Sequence, residues 1–283
     1  MHTRHTITLP GRAPLILGET PLVMGILNVT PDSFSDGGQH NLVESALAHA
    51  REMIAEGADI IDIGGESTRP GSAPVGVQEE LDRVMPVIDA LIAAGITTPL
   101  SIDTYKPLVA DQAIQAGASI INDVHGLQGA AEMAEIAALH QAPVIAMHWQ
   151  KDRDTQIPLL DDMRSYFERS IARAREAGIS QLILDPGFGF GKTLAENYQL
   201  ITRSRQACLD DLPILIGTSR KSMIGRLLGN EPSERLAGTI ATNVLAYQNG
   251  GHIFRVHDVH ANRDALRVAQ AVLYGPPEEG ISA

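Results

Sequence analysis

The feature that most constrains this chain is a repetition. Eight times, a short β-rich apolar run ends at a polar or glycine-rich stretch, a loop follows, and an amphipathic helical stretch comes next. Residues 22–27 end at Asn28, residues 60–63 at Gly64-Gly65, and residues 100–102 at Asp103. Residues 119–121 end at Asn122-Asp123, residues 144–147 at His148, and residues 182–184 at Asp185. Residues 214–216 end at Gly217-Thr218-Ser219, and Ile253-Phe254 leads into Arg255-Val256-His257-Asp258. Between them, apolar positions recur at helical spacing. The first helix carries Val43, Ala46, Leu47, Ala50 and Ile54, with Asn41 and Glu44 placed as a cap and its third-position acid. Further helices are predicted over 78–94, 107–116, 130–140, 163–177, 194–208, 222–228, 234–247 and 264–273.

Strands alternating with helices imply parallel pairing. Eight such units in 283 residues predict an α/β fold, a single closed (β/α)8 TIM barrel. The alternative is a doubly wound open sheet. Against it, no nucleotide-type glycine fingerprint follows the first strand. The short helix after strand seven also lies beside a basic strand-eight end, where barrels commonly hold phosphate. Ahead of the barrel, Thr6–Leu9 and Leu15–Leu17 flank Pro10-Gly11, which predicts a β-hairpin. The chain therefore divides into an N-terminal hairpin (1–20), a barrel (21–275) and a tail (276–283), all one domain.

The strand ends of such a barrel converge on one mouth. Here they are Asn28, Asp62, Asp103, Asn122, His148, Asp185, Ser219 with Lys221, and Arg255 with His257. A barrel built for stability alone needs no polar side chain at nearly every strand end. Asp103, Asn122 and Asp185 offer acceptors and an amide suited to the edge of a guanine-like heterocycle. The competing reading makes each of them a helix cap. Arg255, His257, Lys221 and the loop residue Arg69 suit an anion, and arginine also stacks on flat rings. His148 reads slightly better as a buried core histidine than as part of the site.

The run Ile183-Leu184-Asp185-Pro186-Gly187-Phe188-Gly189-Phe190-Gly191-Lys192 places one carboxylate before three alternating glycines. Glycines near a lysine suggest phosphate, but the spacing is not that of a phosphate-binding loop. Lys192 is better read as support for the loop. Two long polar loops, 28–38 and 64–71, have the length of lids.

Net charge matters for partners. At −12 the chain argues against nucleic acid or an anionic membrane surface. No apolar run approaches the ~18 residues that span a bilayer. The one cysteine, Cys208, allows no internal disulfide, which suits a reducing compartment. A cytoplasmic location is expected.

Several of these motifs together resemble the dihydropteroate synthases. They are Met24 to Gly38, Gly64 to Pro70, Ile121-Asn122-Asp123, Asp185 to Lys192, Ser219-Arg220-Lys221-Ser222 and Arg255-Val256-His257-Asp258. The resemblance implies a folate-pathway transferase that joins 6-hydroxymethyl-7,8-dihydropterin pyrophosphate to 4-aminobenzoate. By the same resemblance, Asp103, Asn122, Asp185, Lys221 and Arg255 would bind the pterin. Asn28, Thr68, Arg69, Arg255 and His257 would hold the pyrophosphate. Ser219, Phe190 and Lys221 would seat the aminobenzoate, and Asn28 would ligate Mg²⁺. Lys221, Arg255, His257 and Asp103 would carry the chemistry. A homodimer and sensitivity to sulfonamides are also implied. The loop after Met147-His148 departs from the family pattern, so Trp149 is left open between pocket and surface. Rival readings are a methyltetrahydrofolate-binding methyltransferase barrel and a catalytically silent pterin-binding module.

Overall fold

The computed structural model describes residues 2–30, 39–66, 74–150, 152–209 and 212–276. His5–Leu9 (β1) and Arg12–Leu17 (β2) pair antiparallel. Their turn is possible because Gly11 takes φ +65°, a region that costs glycine little.

The barrel strands are Leu22–Asn28 (β3), Ile60–Gly64 (β4), Leu100–Asp103 (β5), Ile120–Asp123 (β6), Val144–Met147 (β7), Leu182–Asp185 (β8), Leu215–Ile216 (β9) and Ile253–Val256 (β10). The helices are Gln39–Ala55 (α1), Val77–Ala93 (α2), Pro107–Ala116 (α3), Glu132–Leu139 (α4), Leu159–Ala177 (α5), Leu194–Ala207 (α6), Ser222–Leu228 (α7), Leu236–Gln248 (α8) and Val259–Tyr274 (α9). All pairings in the eight-stranded sheet are parallel, in the order β8-β7-β6-β5-β4-β3-β10-β9. The sheet closes through one parallel bridge between Leu184 and Ile214, where the Leu184 N–H donates to Pro213 O at 2.9 Å. The expected barrel is therefore the observed one. Among the described residues no helix is long and apolar enough to cross a membrane.

Side chains alternate across a strand, so every second residue enters the barrel. At its N-terminal level Met24, Ile60, Ile120, Ile145, Ile183, Leu215 and Ile253 form one buried cluster. Ile7, Leu9, Leu15 and Leu17 complete that cluster from below, so the hairpin is the floor of the barrel. The opposite parity, including Val23, Ile61, Ile121, Val144, Leu184 and Phe254, packs outward under the helices. Burial of each such side chain stabilises the fold by roughly 1.5–3 kcal/mol. Two residues further up the interior parity stand Asp62, Asn122, Asp185 and Arg255.

Three helix starts differ most from expectation. The chain is already helical at Gln39, so Asn41 lies inside α1 and is not its cap. α5 begins at Leu159 and α9 at Val259, because Met163 and Leu266 are the middles of buried stripes that reach back a turn or more. The reciprocal cap occurs instead at α6. There Thr193 Oγ1 accepts from the Glu196 N–H at 3.3 Å, and the Glu196 carboxylate accepts from the Thr193 N–H at 2.8 Å.

Candidate active site

The pleat brings Asp62, Asp103, Asn122, Asp185 and Arg255 together at the C-terminal mouth. Arg255 Nε donates to Asp62 Oδ2 at 2.6 Å, and its Nη2 donates to Asp103 Oδ2 at 2.7 Å. Asn122 Nδ2 donates to the same Asp62 oxygen at 3.1 Å. Asp62 is thus the hub of the mouth, although the sequence pattern gave it no role. Its signal was present: Asp62 follows the floor residue Ile60 by two positions.

The other two oxygens, Asp62 Oδ1 and Asp103 Oδ1, are buried with no hydrogen-bond partner among the described residues. A buried acceptor left unpaired costs about 1–3 kcal/mol. Two of them beside one guanidinium point to a ligand that brings N–H groups.

Burial lifts the Asp103 carboxyl to about 7; Arg255 draws it down and Asp62 pushes it further up. Burial also raises Asp185, against the pull of the Gly187 N–H and of Lys221. That N–H donates to Asp185 Oδ1 at 2.7 Å. Burial alone would weaken the Arg255 charge, but Asp62 and Asp103 outweigh it and the net shift is upward.

Glycine at two interior positions leaves room above this layer. A β-carbon on Gly64 would meet Asp103 Oδ2 at 3.7 Å and Asn28 Oδ1 at 3.8 Å. One on Gly217 would lie 3.8 Å from Asp185 Oδ2. These distances also place the Asn28 amide at the mouth, as expected.

One wall is apolar. Phe190 packs with Val124 and Met147, and Tyr105 and Trp149 lean on that group. The Trp149 ring is 5.5 Å from Phe190, so the divergent loop after β7 does contribute to this wall. Lys221 Nζ sits 4.2 Å above the Phe190 ring, within cation–π range.

Ser219 and His257, after the neighbouring strands β9 and β10, form a pair. Ser219 Oγ accepts the His257 main-chain N–H at 3.1 Å and lies 3.0 Å from His257 Nδ1. The short helix α7 runs over Ser222–Leu228 as predicted, and Lys221 is the residue before it. Next to this pair, Arg220 holds φ +55°, unusual for a side-chain-bearing residue. It is fixed by a fork onto Asp258, at 3.0 Å through Nε and 2.5 Å through Nη2. That fork ties the loop after β9 to the loop after β10 and went unrecognised in the sequence.

His148 does not join the mouth. The inward residue of β7 is Met147, and His148 stands on the outer side, buried against Tyr166 and Phe167. Its Nε2 is 3.0 Å from Asp162 Oδ2. Burial lowers it to about 4, with Asp162 opposing, so it is neutral at pH 7. Thr68, Arg69 and most of both polar loops lie outside the described residues. Among the described residues no group of three or more His, Cys, Asp or Glu is arranged to hold a metal ion.

Comparison with known proteins gives the same picture. Residues 24–257 match the family described as pterin binding enzyme. A dihydropteroate synthase of Escherichia coli (strain K12) is 51% identical over 263 residues, covering 89% of this chain and 92% of that one. One from Bacillus subtilis (strain 168) is 48% identical over 257 residues and covers 90% of both. The structure of Xanthomonas albilineans dihydropteroate synthase with 4-aminobenzoic acid superposes with TM-score 0.89 at 46% identity, over 97% of this chain and all of that one. The same enzyme in complex with 7,8-dihydropteroate gives TM-score 0.86 at 44% identity, over 96% of this chain and 100% of that one. With the family pattern matched across the barrel and the identity near one half, the chain belongs to the dihydropteroate synthase family.

Proposed function

We propose that the mouth condenses 6-hydroxymethyl-7,8-dihydropterin pyrophosphate with 4-aminobenzoate, giving 7,8-dihydropteroate and pyrophosphate. The observation that carries this reading is the layer of Asp62, Asp103, Asn122 and Asp185, with two orphaned carboxylate oxygens beneath Arg255. A pterin edge presents a ring N–H beside an exocyclic amine, the donors those oxygens lack. Asp103, Asn122 and Asp185 read that edge; Asp62 orients Asn122 and Arg255 through Oδ2 and offers its unpaired Oδ1 as a further acceptor. Lys221, Phe190, Val124 and Met147 enclose the ring and the incoming arylamine.

The C–O bond to pyrophosphate breaks with its electron pair leaving on oxygen. The electron-rich pterin spreads the positive charge, and the amine nitrogen then attacks the methylene and gives up a proton. Arg255 and His257, with Thr68 and Arg69, stabilise the departing anion. The two polar loops keep water from the cation. Asn28, whose amide oxygen lies at the mouth, would hold Mg²⁺, and the bound ion would supply charge neutralisation for the leaving group. Ser219 shares this side of the mouth; its hydroxyl orients His257 and would seat the aminobenzoate carboxylate.

The protein works in the cytoplasm as a homodimer, with the exposed apolar face of α8 and α9 as the contact. Sulfonamides, which carry the same arylamine, compete at the aminobenzoate wall. The decisive experiment supplies both substrates with Mg²⁺ and follows dihydropteroate. Formation of product separates this reading from a methyltransferase barrel and from a silent pterin-binding module; no product from folded protein would overturn it.

A further inference from the structure

The loop between β8 and α6 is organised around one buried ammonium. Lys192 Nζ donates to Gly187 O at 2.8 Å, to Phe190 O at 3.0 Å and to His148 O at 3.3 Å, and lies 3.0 Å from His148 Nδ1. Gly187, Gly189 and Gly191 take φ +69°, +83° and +61°. Such φ values turn peptide carbonyls to a side that side-chain-bearing residues seldom reach. The loop is also pressed against the segment after β7: a β-carbon on Gly187 would lie 2.1 Å from His148 O, and one on Gly191 2.7 Å from Gln150 O.

We propose that Lys192 is a positioning residue for the aminobenzoate wall: its ammonium gathers the carbonyls of two neighbouring loops and so fixes the Phe190 ring beneath Lys221. The inference rests on the reading of the mouth given above. The link is direct, because the carbonyl Lys192 holds belongs to Phe190 itself. That residue's ring meets Lys221 on one face and Trp149 beside it. A lysine that only filled space would not need oxygens at three of its contacts.

The geometry also orders the charges behind the loop. His148 Nδ1 accepts from the ammonium, so its Nε2 carries the proton donated to Asp162. Asp185 and Asp162 favour the Lys192 charge, whereas Arg153 and Lys221 oppose it. Burial is the largest influence and draws Lys192 down to about 7, with Asp185 and Asp162 opposing it.

The test uses the full chain, with K192M and K192R, measuring kcat and both KM values from pH 6 to 9. For K192M, KM for aminobenzoate rises about tenfold while kcat changes little, because a mispositioned wall weakens binding more than chemistry. In the unsubstituted enzyme the same KM climbs above neutral pH, and K192R, charged throughout, flattens that climb. An unchanged KM in folded K192M overturns the proposal and leaves the function standing. If K192M does not fold, the pH comparison decides: parallel profiles for K192R and the unsubstituted enzyme overturn it. Failure of the unsubstituted enzyme to form dihydropteroate would instead remove the reading of the whole mouth, and this one with it.

Discussion

Asp103 ties the chemistry of a single carboxyl to a measurable pH dependence. Its pKa is lifted to about 7, so near neutrality it exchanges between an acceptor and a partial donor. A pterin edge needs the acceptor. Binding therefore weakens as pH falls below about 7, by up to about tenfold per unit while this one group titrates. Folding stability has the opposite sign. The native state keeps this proton more tightly than the unfolded chain, whose reference value is 3.8. The contribution is full below that value and is lost as pH rises through about 7. Calorimetry with 6-hydroxymethylpterin from pH 5.5 to 8.5 checks the first statement. D103N should bind more weakly at pH 8, by about 1.5–3 kcal/mol for a lost charged hydrogen bond, with a flat profile. A flat profile in the unsubstituted protein would remove Asp103 from this role. At this scale legibility turned on parity. Asp103, Asn122, Asp185 and Arg255 were readable as strand ends. Asp62 was given no role, and the core reading of His148 was favoured only slightly, because a strand end alone does not say which face a residue takes. Counting by twos from Ile60 and Ile145 reaches Asp62 and Met147, and leaves His148 outside.

Among elements, the hairpin has the clearest separate task. β1 and β2 deliver Ile7, Leu9, Leu15 and Leu17 to the barrel floor, at the opposite end from the mouth. Their alternation with exposed residues is visible in the sequence, but its target is not. Closing a barrel end is a long-range contact that no local pattern encodes. Leu17 is fully buried there. L17A should therefore cost about 2–5 kcal/mol, the range for a large-to-small change in a packed core. Because the floor and the mouth are separated by the whole barrel layer, both KM values should stay within about twofold when measured well below the unfolding transition. Denaturant unfolding monitored by circular dichroism, paired with steady-state kinetics, makes the check. Loss of substrate affinity in folded L17A would show that the floor reaches the site. The caps teach a related lesson. Asn41 and Glu44 have the spacing of a reciprocal cap, as do Thr193 and Glu196, yet only the second pair forms one. The spacing is necessary, but where the chain turns into the helix is set by the packing around it.

For the whole molecule, the eight-fold repetition was enough to foresee a closed barrel, whereas the thinness of the closing seam was not readable. β9 is two residues long, and one bridge between Leu184 and Ile214 joins the ends. What the barrel leaves uncovered is also a property of the assembled molecule. α9 buries Val259, Asn262, Leu266 and Ala269 and turns Val268 and Val272 outward, 65% and 76% exposed. Beside them, Leu245 of α8 and Leu273 of α9 are also exposed. Between the two helices runs a groove of about 430 Å³ lined by Val244, Val268, Ala269 and Val272. Its chemistry decides what can cover it. Two copies of a chain with net charge −12 repel at long range, so a stable contact must come from a patch that adds little charge of its own. This groove has one carboxylate on its lining, Asp264, against five aliphatic side chains. A symmetric contact of α8 and α9 against their copies would pair like apolar surfaces, as a two-fold interface does. Placing aspartate at both Val268 and Val272 would set four added carboxylates facing one another across that axis. Sedimentation velocity at micromolar concentration should show a dimer for the unsubstituted chain and a monomer for V268D/V272D. Circular dichroism should be unchanged, since both side chains are exposed and their loss leaves no cavity. A double variant that still sediments as a dimer would place the contact on another face.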